Sequence, residues 1–290
     1  MEGIWISGFA DEISSSFDEQ LAVVTRLGMK YISLRSADGK NVADYTPEEV
    51  SKLLVPRLKV AGVGVSSLGS PIGKIDVEDA QAYQKQSEQL EQLCEICTLL
   101  DCRYIRIFSF FIPEGKDPNA YRDTVLEKLK GFVDIAQKHN VILLHENEKD
   151  IYGDVADRCL TLLQEIDSPS LRAIFDFANF VQCGEDTLRA WELLHSYVEY
   201  IHIKDALSSS SENVVCGTGE GHIPELLKRA IREEGYKGFL TLEPHLVLFD
   251  SLQSLEQKAA ADVIKANKAK DGADGYRMQY EALQEILSGI

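Results

Sequence analysis

The sequence predicts an α/β fold, a (β/α)8 TIM barrel with a C-terminal helical extension, and three observations carry that expectation. Apolar runs of strand length alternate with longer amphipathic segments, and eight such pairs fit in the chain. Four runs in the second half each carry, at or near their end, a residue able to ligate a metal: VILLHEN with Glu146, LRAIFDFAN with Asp176, YIHIKDA with His202 and GFLTLEPH with Glu243. These residues are spaced by 30, 26 and 41 positions, close to the roughly 30 residues that one strand and its return helix occupy in such a barrel. The C-terminal ends of barrel strands surround one open face, so three carboxylates and an imidazole from neighbouring strands are expected to converge there.

Taken in order, the first strand segments are IWISGFA from Ile4, KYISLRS from Lys30, VGVSSLGS from Val63 and YIRIFSF from Tyr104, followed by the four already given. Between them lie segments such as SFDEQLAVVTRLG and AYRDTVLEKLKGFVDIAQKHN, whose apolar residues recur at three- and four-residue spacing, as on one face of a helix. A strand that returns through a helix pairs in parallel with its neighbour. An open doubly wound sheet shows the same alternation; the count of eight and the converging ligands select the closed barrel. The segment after about residue 252 has a helical pattern interrupted at Gly272 and Gly275. It is read as a tail that caps the barrel or meets a second subunit, as a homo-oligomer would require.

With 290 residues the chain is long enough for one such barrel, expected as a single domain 1–290 with the barrel over about 1–252 and the tail over about 253–290. No Gly/Ser linker divides it. The composition, 44% hydrophobic and 27% charged, is that of a globular protein. It contains no apolar run able to span a bilayer, and a strand-like segment directly follows Met1 where a leader would stand, so the expectation is a cytoplasmic protein without a membrane partner. A net charge of −17 with no clustered basic residues argues against nucleic acid. Cys94 and Cys97 form a lone CxxC without a second pair, and the six cysteines are read as structural thiols.

A single acid at a strand end is ordinarily solvated or caps the next helix. Four ligands at consecutive strand ends are harder to dismiss, because charged groups inside a barrel mouth need a cation or partners. Carboxylate oxygens with one imidazole suit one divalent ion, Mn2+ first, with Mg2+, Co2+ or Zn2+ as alternatives; the absence of thiolate argues against a structural zinc. Alternation along a strand sends His145 to the face opposite Glu146, so His145 is read as a packed, hydrogen-bonded histidine. The same alternation puts Lys204 on the side of His202, where it either holds a substrate oxygen or pairs with a ligand carboxylate. Arg35 and Arg106 would offset the acidic centre or bind substrate oxygens. Asn147 and Asn179 could hold ligand carboxylates or sugar hydroxyls, or simply form turns. GTGEGH, residues 217–222, reads as a flexible loop near the site, with Glu220 and His222 in reach of substrate or merely exposed. His245 follows Glu243 by two and either supports it or sits at the rim.

HENE, FDFANF, YIHIKDA, GTGEGHIP and FLTLEPH together resemble the xylose-isomerase-like TIM-barrel family of sugar isomerases and epimerases, most specifically from Val141 to His245. The resemblance implies a metal on Glu146, Asp176, His202 and Glu243, the same four selected above. It also implies a ketose bound through two adjacent oxygens, a metal-stabilised cis-enediolate, and Glu146 and Glu243 as the acid and base on opposite sides of the sugar. Lys204, Arg35, Arg106, Asn179 and His222 are the expected substrate-binding residues.

The leading expectation is therefore a metal-dependent isomerase or epimerase acting on a small sugar or cyclitol. A metal-dependent dehydratase or lyase on a keto-sugar or keto-cyclitol, resembling inosose dehydratase, comes second. An endonuclease related to those that cleave at abasic sites ranks lower, since the first four strands offer no histidine for extra zinc ions. A non-catalytic sugar-binding protein ranks lower because the acid pair and the ligand set are complete.

Overall fold

The computed structural model describes residues 2–249, 264 and 267–290. Eight parallel strands form one sheet: β1 (Ile4–Gly8), β2 (Tyr31–Leu34), β3 (Gly64–Leu68), β4 (Tyr104–Ile107), β5 (Ile142–Glu146), β6 (Leu171–Asp176), β7 (Val198–Ile203) and β8 (Gly238–Leu242). Each pairs with its sequence neighbour, and β8 returns to β1 in the register Ile4↔Gly238 through Gly8↔Leu242. A parallel bridge between Phe9 and Ser33 joins the last open pair of edges, β1 and β2. Closure rules out the doubly wound sheet that the alternation alone permitted.

Helices surround the barrel because each presents one apolar stripe to it. The segment Arg122–Lys138 buries Val125, Leu126, Leu129, Phe132, Val133 and Ala136, a single helical face. Each such large side chain contributes about 1.5–3 kcal/mol by leaving water, and Phe132→Ala would cost roughly 3–5 kcal/mol. Local chemistry sets the ends. The Ser16, Asp79 and Asp271 side chains cap the helices Phe17–Arg26, Ala80–Leu99 and Gly272–Ser288, and Gly62 stops Val55–Ala61 in the left-handed conformation that glycine tolerates.

The helix Gly272–Ser288 runs through Gly275 without a break and lays Tyr276, Gln279, Leu283 and Leu287 against the barrel. It packs against the barrel, and Gln279 fixes it there by donating to Ile203 O (3.0 Å) and accepting from Cys216 N (3.1 Å). The expected boundary near residue 252 lies outside the described residues, as do tail residues 253–263 and 265–266. Cys94 and Cys97 are packed in the core, and all six cysteines are free thiols. No helix among the described residues is long and apolar enough to cross a membrane.

Inside the barrel the side chains stack in layers, as inward positions two apart on each strand require. An aromatic and aliphatic floor comes first, with Tyr31 edge-on to Phe239 (5.1 Å between ring centroids) and Leu144, Ile174 and Tyr200 packed together. Hydroxyls follow: Ser7 meets Ser66 at 2.5 Å, Ser33 meets Ser67 at 2.7 Å, and the Tyr200 hydroxyl meets Ser66 at 2.7 Å. Two residues beyond Leu144, Ile174, Tyr200 and Thr241 stand Glu146, Asp176, His202 and Glu243, so the charged layer crowns the stack at the C-terminal mouth.

Candidate active site

The four expected ligands converge. One ligand atom from each of Glu146, Asp176, His202 and Glu243 lies within 4.8 Å of the others, and all four residues are buried. His202 Nδ1 faces Glu146 Oε1 at 3.0 Å, Glu243 Oε2 at 3.3 Å and Asp176 Oδ2 at 3.6 Å. The Phe9 ring stands edge-on to the imidazole at 5.2 Å, and Tyr200 lies beneath it.

The run LRAIFDFAN is not strand throughout. The strand ends at Asp176, whose Oδ1 accepts the Asn179 N–H (2.8 Å) and caps the short helix Phe177–Gln182. That cap turns the other oxygen, Oδ2, to His202 and Lys204. Asn147 holds Asp176 from behind by bonding both its N–H and its carbonyl, and Asn179 Nδ2 donates to Asn147 O (2.8 Å) while lying 3.5 Å from Glu146 Oε1. Both asparagines thus fix the acidic centre.

Cations pair with these carboxylates as well. Arg106 reaches Glu146 Oε2 at 3.1 Å, and Lys204 Nζ lies 3.1 Å from Asp176 and 3.3 Å from Glu243. Lys204 therefore pairs with two ligand carboxylates, the second of its two sequence readings. All three nitrogens of Arg35 face carboxylates: Nε on Asp11 (2.8 Å), NH1 on Glu243 (3.1 Å) and NH2 on Glu12 (3.3 Å). His145 lies on the outer face, its Nε2 2.9 Å from Ser109 Oγ, and burial holds its ring down to about 4 against the opposing pull of Glu146.

The electrostatics follow from burial and neighbours. Burial would raise the Glu146 carboxyl, but His202 and Arg106 outweigh it and hold it below its ordinary value. Burial likewise opposes ionisation of Glu243, and Lys204 with His202 overcomes it, keeping the group well below the usual range. His202 shows the reverse balance: burial disfavours its charge, yet Glu146 and the other carboxylates lift it well above 6.5. At Asp176 burial wins over Lys204, so that group is raised.

This balance tests whether the residues fit a metal. Asp11, Glu12, Glu146, Asp176 and Glu243 form five contiguous buried carboxylates against three permanent cations, Arg35, Arg106 and Lys204. With neutral histidines two negative charges are left over, the charge of one divalent ion. Glu146 Oε2 and Asp176 Oδ2 also lack a well-aligned hydrogen-bond donor although both are buried, as expected of oxygens shaped for a cation. The donor set, three oxygens and one nitrogen, suits Mn2+, Mg2+, Co2+ or Zn2+.

The structure places the remaining loop residues and changes one expectation, that of a flexible loop. His222 is exposed, in a left-handed conformation, and its Nδ1 lies 2.9 Å from Thr187 Oγ1; it is not among the groups that meet at the acidic centre. The loop over 217–222, expected to be flexible, is tied down: the buried Asp205 carboxylate accepts the N–H groups of Gly217, Gly219 and Gly221, each at 2.9 Å. A Cβ on Gly219 would lie 2.4 Å from Asp205 Oδ1, so only glycine lets the backbone come this close. Sequence reasoning passed over Asp205, Asp11 and Glu12. The pair Asp11–Glu12 directly follows the first strand segment, so the strand-end rule that found the other four could have found it.

The profile of the xylose isomerase-like TIM barrel family matches residues 21–266, and the chain belongs to that family. Among solved structures it is similar to D-allulose 3-epimerase from Methylomonas sp., with a TM-score of 0.75 at 15% identity over 99% of both chains. It is equally similar to the IOLI protein with its zinc atom, at TM-score 0.75 and 13% identity over 98% of both chains. At these identities the likeness shows the fold. A curated relative, 3-dehydroshikimate dehydratase of Bacillus anthracis, is 24% identical over 88 residues, which is 30% of this chain and 31% of that enzyme. The match thus spans about a third of that enzyme's length.

Proposed function

We propose that this protein is a divalent-metal-dependent isomerase or epimerase of a small sugar or cyclitol, with Glu146 and Glu243 moving the proton. One observation carries the reading: the two glutamates approach the same His202 nitrogen from β5 and from the end of β8, each fixed from behind by a different arginine. A substrate seated between them would present opposite faces to two carboxylates. Glu146, Asp176, His202 and Glu243 would hold the ion, which when bound supplies Lewis-acid stabilisation to developing oxygen charge.

The chain's own groups do the rest. One glutamate removes the proton from the carbon beside the carbonyl, and the other, or its conjugate acid, returns one. Arg106 favours the ionised, proton-accepting form of Glu146, and Arg35 aims Glu243. Lys204 offers a buried ammonium whose charge Asp176 and Glu243 sustain against desolvation, and it would donate a hydrogen bond to a substrate oxygen. Delivery of a proton by the second glutamate, as its carboxylic acid, to the same carbon from the other face gives epimerisation; delivery to the former carbonyl carbon, with a proton passing from one substrate oxygen to the other, gives isomerisation.

A dehydratase is the second reading, favoured by the partial match to 3-dehydroshikimate dehydratase. Lys204 would then protonate a departing hydroxyl after the same first step. Incubation of the Mn2+-loaded protein with ketoses and keto-cyclitols in D2O, followed by NMR and mass analysis, separates the readings. An isomerase or epimerase gives a product of unchanged composition apart from deuterium beside the carbonyl. A dehydratase gives one that has lost water. Failure to exchange that proton in any substrate of these classes would contradict both.

A further inference from the structure

Glu243 belongs to two ligand sets. Its Oε2 faces His202 in the four-residue cluster, and its Oε1 faces a second group made with Glu12 and His245, all buried. His245 Nε2 lies 3.4 Å from Glu243 Oε1 and 3.5 Å from Glu12 Oε1, and among the described residues neither ring nitrogen has a well-aligned hydrogen-bond partner although the residue is 97% enclosed. Its backbone sits in the left-handed region at φ 46°, and its N–H donates to Glu12 Oε2 at 2.7 Å. A non-glycine residue held there carries strain that its surroundings must offset. Two carboxylates, one shared with a neighbouring cluster, and one buried imidazole are a donor set that could hold a second metal ion.

Arg35 fills it. Its NH1 lies 3.1 Å from the shared Glu243 oxygen and its NH2 3.3 Å from the same Glu12 oxygen that His245 faces. Nε is anchored to Asp11, and the guanidinium carbon stacks over the Phe9 ring at 4.4 Å from its centroid. A guanidinium cannot lose its proton here and cannot exchange with solvent ions. We propose that Arg35 is a built-in cation standing in place of a second divalent ion on Glu12, Glu243 and His245, so that the centre takes one exchangeable metal. The inference rests on the proposed metal dependence of the first cluster and adds what makes that centre mononuclear.

Metal stoichiometry tests it. Wild type, Arg35→Lys and the double variant Arg35→Ala/Asp11→Asn are each dialysed against Mn2+, checked for a native circular dichroism spectrum, and assayed for bound metal and for the EPR signal of coupled Mn2+ ions. The double change removes Arg35 together with one acid that it pairs with, so the net charge of the pocket is unchanged. Wild type and Arg35→Lys are expected to bind one ion per chain with an uncoupled spectrum, and the double variant two with a coupled one. One ion in the folded double variant, or two in wild type, would overturn the proposal while leaving the first site standing. No ion in wild type would overturn both.

Discussion

Asn147 and Asp176 exchange two hydrogen bonds across neighbouring strands: Asn147 Nδ2 donates to the Asp176 carbonyl and Asn147 Oδ1 accepts the Asp176 N–H, both at 3.0 Å. A side chain here continues the ladder where β5 has ended, and so fixes the height at which Asp176 leaves its strand. Asn147→Ala orphans two buried backbone groups at roughly 1–3 kcal/mol each. We expect a lower melting temperature and a metal affinity weakened by about 10–100-fold, as loss of a ligand's support produces. Calorimetry with and without Mn2+ checks both.

Glu146→Gln and Glu243→Gln keep the volume of each side chain but remove its basicity. Each is expected to lower turnover by about a hundredfold to ten-thousandfold, the usual contribution of a positioned acid or base, with the circular dichroism spectrum unchanged. Near-normal turnover in both would remove the two-carboxylate mechanism.

Metal uptake is expected to expel a proton. Without an ion, burial disfavours charge on His202 but Glu146, Asp176 and Glu243 raise it well above 6.5, so at neutral pH its Nδ1 carries a proton among three carboxylates. A cation needs that lone pair. Affinity should therefore rise with pH below the raised value, by up to about tenfold per unit for one proton. Titration calorimetry in buffers of different ionisation heats should return about one proton released per ion; zero would place the ion elsewhere.

Much of this site was legible before any coordinate. Strand alternation put Glu146, Asp176, His202 and Lys204 inside and His145 outside, because a period of two leaves one choice per strand. What stayed hidden depended on contacts between distant segments. Arg35 meets Glu243 across 208 positions, and Asp205 binds glycines of a loop that composition alone marked as mobile. His222 was left either in reach of substrate or merely exposed, and its contact with Thr187, 35 positions away, is of the same long-range kind.

His145 should make the fold acid-sensitive. Burial depresses its pKa to about 4, against 6.5 for the free group. The unfolded chain thus takes up a proton below about pH 6.5 that the folded protein refuses until about pH 4. Stability should fall between those values, by on the order of 3 kcal/mol. Urea melts across that range should show a shallower fall in His145→Asn than in wild type; parallel curves would contradict the assignment.

Gly219→Ala should destabilise the protein by about 1–3 kcal/mol, because its methyl would meet the Asp205 carboxylate at 2.4 Å. Gly219 does not sit in the left-handed region, so the same change at Gly289, where a Cβ meets nothing nearer than 3.5 Å and φ is −86°, provides a control for the added methyl alone. An equal loss in both variants would show that contact with Asp205 adds nothing.

Elemental analysis of purified wild type beside an Asp176→Ala/His202→Ala variant decides whether the four-residue cluster holds a metal. About one divalent ion per wild-type chain and none in the variant is the expected result. Wild type that is metal-free and takes up no added Mn2+, Mg2+, Co2+ or Zn2+ would contradict it.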